Sequence, residues 1–119
     1  MFTKASNQVV LIGRLGDDPE FFGEDGQGAR FDLAINSSFM KDGERQERVD
    51  WPTVVCWNGL ARSCRKLAKG DRVAVAGALR TRRWVDEDAT NRRVFKTTEI
   101  HALDLEFLDV KSLREAKGE

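Results

Sequence analysis

Residues 58–79 read NGLARSCRKLAKGDRVAVAGAL, and the hydrophobic period changes in the middle of them. Leu60, Cys64 and Leu67 lie four and three residues apart, Asn58 is a candidate cap, and Gly70 sits where a helix would stop. That spacing predicts a helix of about two to three turns. From Val73 the period becomes two, with Val75, Gly77 and Leu79 on one side, which is the pattern of a strand with a buried face. The strand continues without a turn signal into RTRRW at 80–84.

Three strand-like runs precede the helix. VVLIGRL at 9–15 is β-branched and closes in GDDP, a turn cluster that explains Asp17 and Asp18 better than a metal site does. After GEDGQG, the run ARFDLAINSSF at 29–39 alternates Phe31, Leu33 and Ile35 against Asp32, Ala34 and Asn36. KDGERQE at 41–47 reads as a charged hairpin loop around Gly43. RVDWPTVVCW at 48–57 reads as a third strand, with Val54 and Cys56 on one face and Trp51, Thr53, Val55 and Trp57 on the other. The last strand starts in RRVFK at 92–96 and runs through TTEIHALDLEFLDV, where Ile100, Leu103, Leu105 and Phe107 supply the apolar positions.

Three strands, a short helix and two more strands predict an all-β fold, the five-stranded OB-fold. The helix of this Greek-key barrel lies between the third and fourth strands, and a long hairpin joins the fourth to the fifth. An SH3-like barrel is the nearest competitor, with less reason for a helix at that point. Gly13 and Gly77, inside strands, mark bends or bulges that let a small sheet close. With 119 residues one domain is expected, residues 1–109, followed by a polar tail at 110–119 with little apolar surface to dock.

The chain has 20 basic and 20 acidic residues, yet the charges are unevenly spread. Residues 1–59 sum to −4, residues 60–98 to +7 and residues 99–119 to −3. Anionic partners feel the local field rather than the total. Six Lys and Arg together with Trp84 fall within residues 80–96, on either side of an acidic tip, VDEDATN, whose side chains are expected to sit away from any phosphate. Arg80, Arg82 and Trp84 share parity, as do Trp51 and Trp57, and Phe39 ends the second strand. Flat aromatic faces beside cations suit single-stranded nucleic acid, whose bases stack and whose phosphates attract Lys and Arg. The bland alternatives are that the tryptophans belong to the core and that the cations cover a solvated surface.

Catalysis has no candidate team. His101 is the single imidazole and reads as structural, and phosphate-loop, HExxH and CxxC patterns are absent. Cys56 and Cys64 form neither a disulfide framework nor a zinc set. A non-enzymatic binder without catalytic residues, metal or cofactor is expected. No apolar run of bilayer length and no secretory signal is seen, so the expected location is cytoplasmic, associated with the nucleoid, with no membrane partner.

Four segments, NQVVLIGRLGDDPE, VDWPTVVCWNGLA, KLAKGDRVAVAGALRTRRW and TTEI, resemble the bacterial single-stranded DNA-binding protein family in order and spacing, over about residues 6–109. The resemblance implies sequence-independent binding and protection of single-stranded DNA in replication, recombination and repair. It implies stacking by Phe39, Trp51, Trp57 and Trp84 and phosphate contacts from Lys41, Lys69, Arg80, Arg82 and Arg83. Arg14, Arg48, Arg62 and Arg93 are added from charge and parity. It also implies a homo-oligomer, with a tetramer favoured and a dimer the other possibility. Pro52 stands where the family often has a His linked to subunit contacts, and GEDGQGAR is more acidic than the family's loop. The sequence stops at REAKGE rather than at an acidic, Phe-ended tail, so the expectation is either a trimmed chain or a short relative that binds DNA without recruiting repair or replication proteins. The alternative function is an OB-fold accessory protein of primosomal or mobile-element type, acting mainly through protein partners.

Overall fold

The computed structural model describes residues 6–87 and 92–116. In chain order the elements are β1 (Val9–Leu15), β2 (Glu20–Phe22), a 3-10 turn (Glu24–Gly26), β3 (Gly28–Lys41), β4 (Glu44–Asp50) and β5 (Thr53–Trp57). Then follow α1 (Gly59–Ser63) with a 3-10 extension (Cys64–Lys66), β6 (Arg72–Asp86), β7 (Arg93–Asp109) and α2 (Lys111–Ala116).

Five of these strands close on themselves. β1 pairs antiparallel with β6, β6 with β7, and β3 with both β5 and the end of β1, while β5 and β7 run parallel. This is the five-stranded Greek-key barrel of the OB-fold, with α1 between the strands that correspond to the third and fourth of the sequence reading. The inward faces are those the alternation gives: Phe31 and Leu33 from β3, Val54 and Cys56 from β5, and Val73 and Val75 from β6. Ala61, Cys64 and Leu67 from the helical segment plug one end. Each fully buried large side chain contributes about 1.5–3 kcal/mol. Cys56 and Cys64 are both buried and free. The hydrogen bond with the Cys64 thiol, and with it burial, push the Cys56 thiol up, so it stays protonated at neutral pH and acts as core.

Several local expectations change. The 41–47 stretch is not a loop: only Asp42 and Gly43 turn, both at positive φ (53° and 79°), and Lys41 pairs directly with Glu44. Two residues of this kind make the tight hairpin turn whose twist matches that of the strands. The third strand of the sequence reading is broken at Trp51 and Pro52. Pro52 has no N–H for a ladder, and its carbonyl instead accepts from Leu33 N–H at 3.0 Å. Asn58 precedes α1 at a φ of 54° and makes no side-chain cap bond. Residues 20–22, which the sequence reading assigns to no strand, form β2 against β3.

Leu103 is not a core position. The β6–β7 register shifts between Ala76 and Gly77, Ala76 facing Asp104 and Gly77 facing Ala102, so Leu103 is the extra residue of a bulge and is 76% exposed. Beyond it Leu105 and Phe107 return to the core side. The segment after the barrel is held by polar bonds: Asp71, itself buried, accepts from Lys111 N–H at 3.2 Å, and Ser112 Oγ donates to the Lys66 carbonyl at 2.8 Å. Val110 joins the core, which seats the start of α2. Asp18, in the β1–β2 turn, accepts from Lys69 N–H at 2.8 Å, a structural use of the GDDP turn.

Gly77 has no room for a side chain: a Cβ there would stand 2.2 Å from the His101 carbonyl oxygen. Gly77→Ala must push backbone against backbone and is expected to cost at least ~1–3 kcal/mol, read as a lowered urea midpoint. A midpoint equal to that of the parent protein would contradict this packing.

Candidate nucleic-acid interface

Two ribbons leave the barrel: β3 with β4, and the outer halves of β6 and β7. In the second, every residue of β6 from Leu79 to Asp86 is exposed. Pairing sets Arg80, Arg82 and Trp84 opposite Glu99, Thr97 and Phe95. Alternation puts these on one face, with Ala78 and His101 next along it and Asp86 and Arg93 beyond. Arg83 is paired with Lys96 and belongs to the other face, with Leu79 and Thr81. The second half of the acidic tip, residues 88–91, lies outside the described residues.

Contacts on that face form a continuous strip. Trp84 stacks on Phe95 with ring centroids 5.7 Å apart and planes at 19°. The Arg82 guanidinium lies 5.4 Å from the Trp84 ring centre and reaches Glu99 Oε2 at 3.4 Å. Glu99 Oε1 stands 3.4 Å from His101 Nε2. The His101 ring is 6.3 Å from Trp57, and Trp57 meets Phe22 edge-on at 5.2 Å. Arg30 covers the other side, 4.7 Å from the Phe22 ring centre. A cavity of about 340 Å³ opens between these groups, lined by Phe22, Arg30, Val55, Trp57, Arg80, Thr81, Arg82, Glu99 and His101.

The tryptophans are not core. Trp51, Trp57 and Trp84 are 57%, 41% and 46% exposed, an amount that leaves a ring face for a ligand. Trp51 lies apart from Trp57, however, at the β4–β5 break, where its ring covers Gly16 so closely that a Cβ on Gly16 would come within 2.5 Å. On the first ribbon Phe39, Lys41 and Arg48 share a face, Phe39 opposite Gln46, Lys41 opposite Glu44 and Arg48 opposite Ser37. Arg48 also pairs with Asp50 at 3.3 Å.

The remaining basic candidates are dispersed. Arg14 is tied to the foot of the barrel, donating to the Gly70 carbonyl at 2.9 Å and lying 3.8 Å from Asp109. Lys69 is exposed near the same end. Arg62, on α1, borders a groove with Arg65, Asn58 and the acidic Glu24 and Asp25, so its field is partly cancelled.

Sequence reasoning missed Phe22, Arg30, Phe95, Glu99 and His101 as members of the strip. Phe95 carried no signal in the sequence: folding residues 80–96 about their middle sets Trp84 across from Arg92, whereas the ladder pairs Trp84 with Phe95, and counting by two from there reaches Glu99 and His101. Phe22 and Arg30 gave none, because β2 was not recognised. Among the described residues no group of three or more His, Cys, Asp or Glu is arranged for a metal ion. No helix there is long and apolar enough to cross a membrane.

A model of the Single-strand binding protein family matches residues 6–108. Single-stranded DNA-binding protein 1 of Chlorobaculum tepidum is 38% identical over 110 residues, 88% of this chain and 66% of that protein. Single-stranded DNA-binding protein 3 of Clostridium acetobutylicum is 39% identical over 107 residues, 87% of this chain and 71% of that protein. The chain thus spans about two thirds of the length of these relatives. The solved Plasmodium falciparum SSB complex with ssDNA superposes with a TM-score of 0.75 at 33% identity, covering 92% of this chain and all of that one. The small single-stranded DNA-binding protein from Streptomyces coelicolor shares the fold, with a TM-score of 0.64 at 23% identity over 87% of this chain and 96% of its own.

Proposed function

We propose that this chain, which belongs to the Single-strand binding protein family, binds and protects single-stranded DNA without catalysis, in replication, recombination and repair. The observation that carries the reading is the strip from the half-buried Phe22 and the exposed Trp57 to the exposed Trp84 and Phe95, in which rings alternate with Arg30, Arg80 and Arg82. Bases stack on such rings at ~1–3 kcal/mol each, whatever their identity, and phosphates exchange their counterions for the guanidinium groups. Phe39, Lys41 and Arg48 on the first ribbon extend the path, with Trp51 as a separate platform. Arg83, Lys69, Arg62 and Arg93 serve as flanking phosphate contacts. Arg14, already bonded to Gly70 and near Asp109, adds least.

The protein also associates with copies of itself. Support comes from β1, where Val10 and Ile12 are 63% and 49% exposed and sit beside the small Ala74 and Ala76 of β6. A flat apolar stretch of this kind is covered when two copies pair through the same surface.

Titration with oligo-dT is expected to quench the tryptophan fluorescence, and log affinity should fall linearly with log salt. Trp84→Ala should weaken binding by ~1–3 kcal/mol while the protein stays folded; absence of quenching at low salt would refute the reading. In sedimentation, the parent protein is expected at a multiple of its 13.5 kDa chain mass, and Ile12→Asp near one chain. A monomeric parent would refute the self-association.

A further inference from the structure

The cavity beside Trp57 contains a group that phosphate binding does not explain. Glu99 is 7% exposed and sits among Arg30, Arg80 and Arg82. A carboxylate at that point repels a phosphate. Its two neighbours, Arg82 Nη2 and His101 Nε2, both stand at 3.4 Å, beyond the usual 2.9–3.0 Å of an N–H to O bond. Since a carboxylate offers about four lone-pair positions, Glu99 keeps acceptor capacity directed into the cavity lining. Across the cavity, Arg30 Nε is buried and has no hydrogen-bond partner. A buried donor without a partner is uncommon, and a ligand edge that accepts from it removes the cost. Ring walls, Phe22 and Trp57, stand beside this donor and acceptor.

We propose that the cavity is a base-reading subsite that favours nucleobases carrying an exocyclic amino group over thymine. The amino group donates to Glu99, and an adjacent ring nitrogen or carbonyl accepts from Arg30 Nε, while the ring packs against Trp57. Cytosine and adenine each present an amino donor next to a ring-nitrogen acceptor, and guanine presents donors and acceptors along one edge. Thymine has only its ring N–H, flanked on both sides by carbonyl oxygens that the carboxylate repels. The subsite rests on the single-strand-binding reading, and adds a composition bias to a binder that otherwise tolerates any base.

The test is the ratio of affinities for oligo-dC and oligo-dT of equal length, measured by anisotropy at one salt concentration. Glu99→Gln and Arg30→Met are compared with the parent protein. Uniform effects, such as releasing Arg82 from its carboxylate, cancel in the ratio. The expected result is a fall of roughly tenfold in the dC-to-dT ratio for each variant, the loss of one good pairing to a base edge. A ratio unchanged in both variants would overturn the subsite and leave Glu99 as a positioning group for Arg82. Failure of the parent to bind either oligonucleotide would overturn the single-strand-binding reading as well. Circular dichroism checks folding. Should Glu99→Gln unfold, the half-buried Arg30→Met decides the matter alone.

Discussion

The face of the β6–β7 arm depends on one close approach, that of Gly77 to the His101 carbonyl. At that point the β6–β7 ribbon stops being barrel wall and becomes a free arm, and the register moves by one residue. The shift has two effects on opposite sides of the same point. Toward the foot of the barrel it expels Leu103 and returns Leu105 and Phe107 to the core side. Toward the arm it sets Arg80, Arg82 and Trp84 on one face with Phe95, Glu99 and His101. A side chain at position 77 would force the strands apart where closure is tightest, so barrel and arm share a single steric requirement.

Much of the fold was legible because the physical signals are local. The change of period between Leu67 and Val73 marked the helix-to-strand passage, and the alternations at Phe31–Leu33, Val54–Cys56 and Val73–Val75 gave the inward faces that the structure has. What was hidden depended on pairing. β4 is charged on both faces and has no apolar alternation, so only its ladder with β3 makes it a strand. β2 is three residues long and acquires its identity from pairing with Arg30, Ala29 and Gly28. The break at Trp51 and Pro52 separates two tryptophans whose spacing had suggested one surface. Gly77 marked the place of a bulge, but nothing in the sequence told that Leu103 on the facing strand is the residue expelled and that the parity reverses there.

The candidate site was legible where parity held. Arg80, Arg82 and Trp84 come out on one face, as an uninterrupted strand requires, whereas Arg83 falls on the other. Identifying charge alone was a weaker guide, since Arg14 and Arg62 are committed to, or offset by, nearby carbonyls and carboxylates. His101 changed most: it is a half-buried wall of the cavity, between Trp57 and Glu99. A chain of zero formal charge can hold an anionic polymer on these terms, because cations and rings converge on one strip whose buried carboxylate, Glu99, faces Arg82 and His101, while most acidic residues lie elsewhere.

The most direct measurement is photocrosslinking of the protein to a bromodeoxyuridine-substituted single strand, with the crosslinked residues mapped by mass spectrometry. The account predicts adducts along the strip, at Trp84 and Phe95 on the arm. Adducts confined to Val10 and Ile12 on the outer face of β1, with none on the strip, would contradict it.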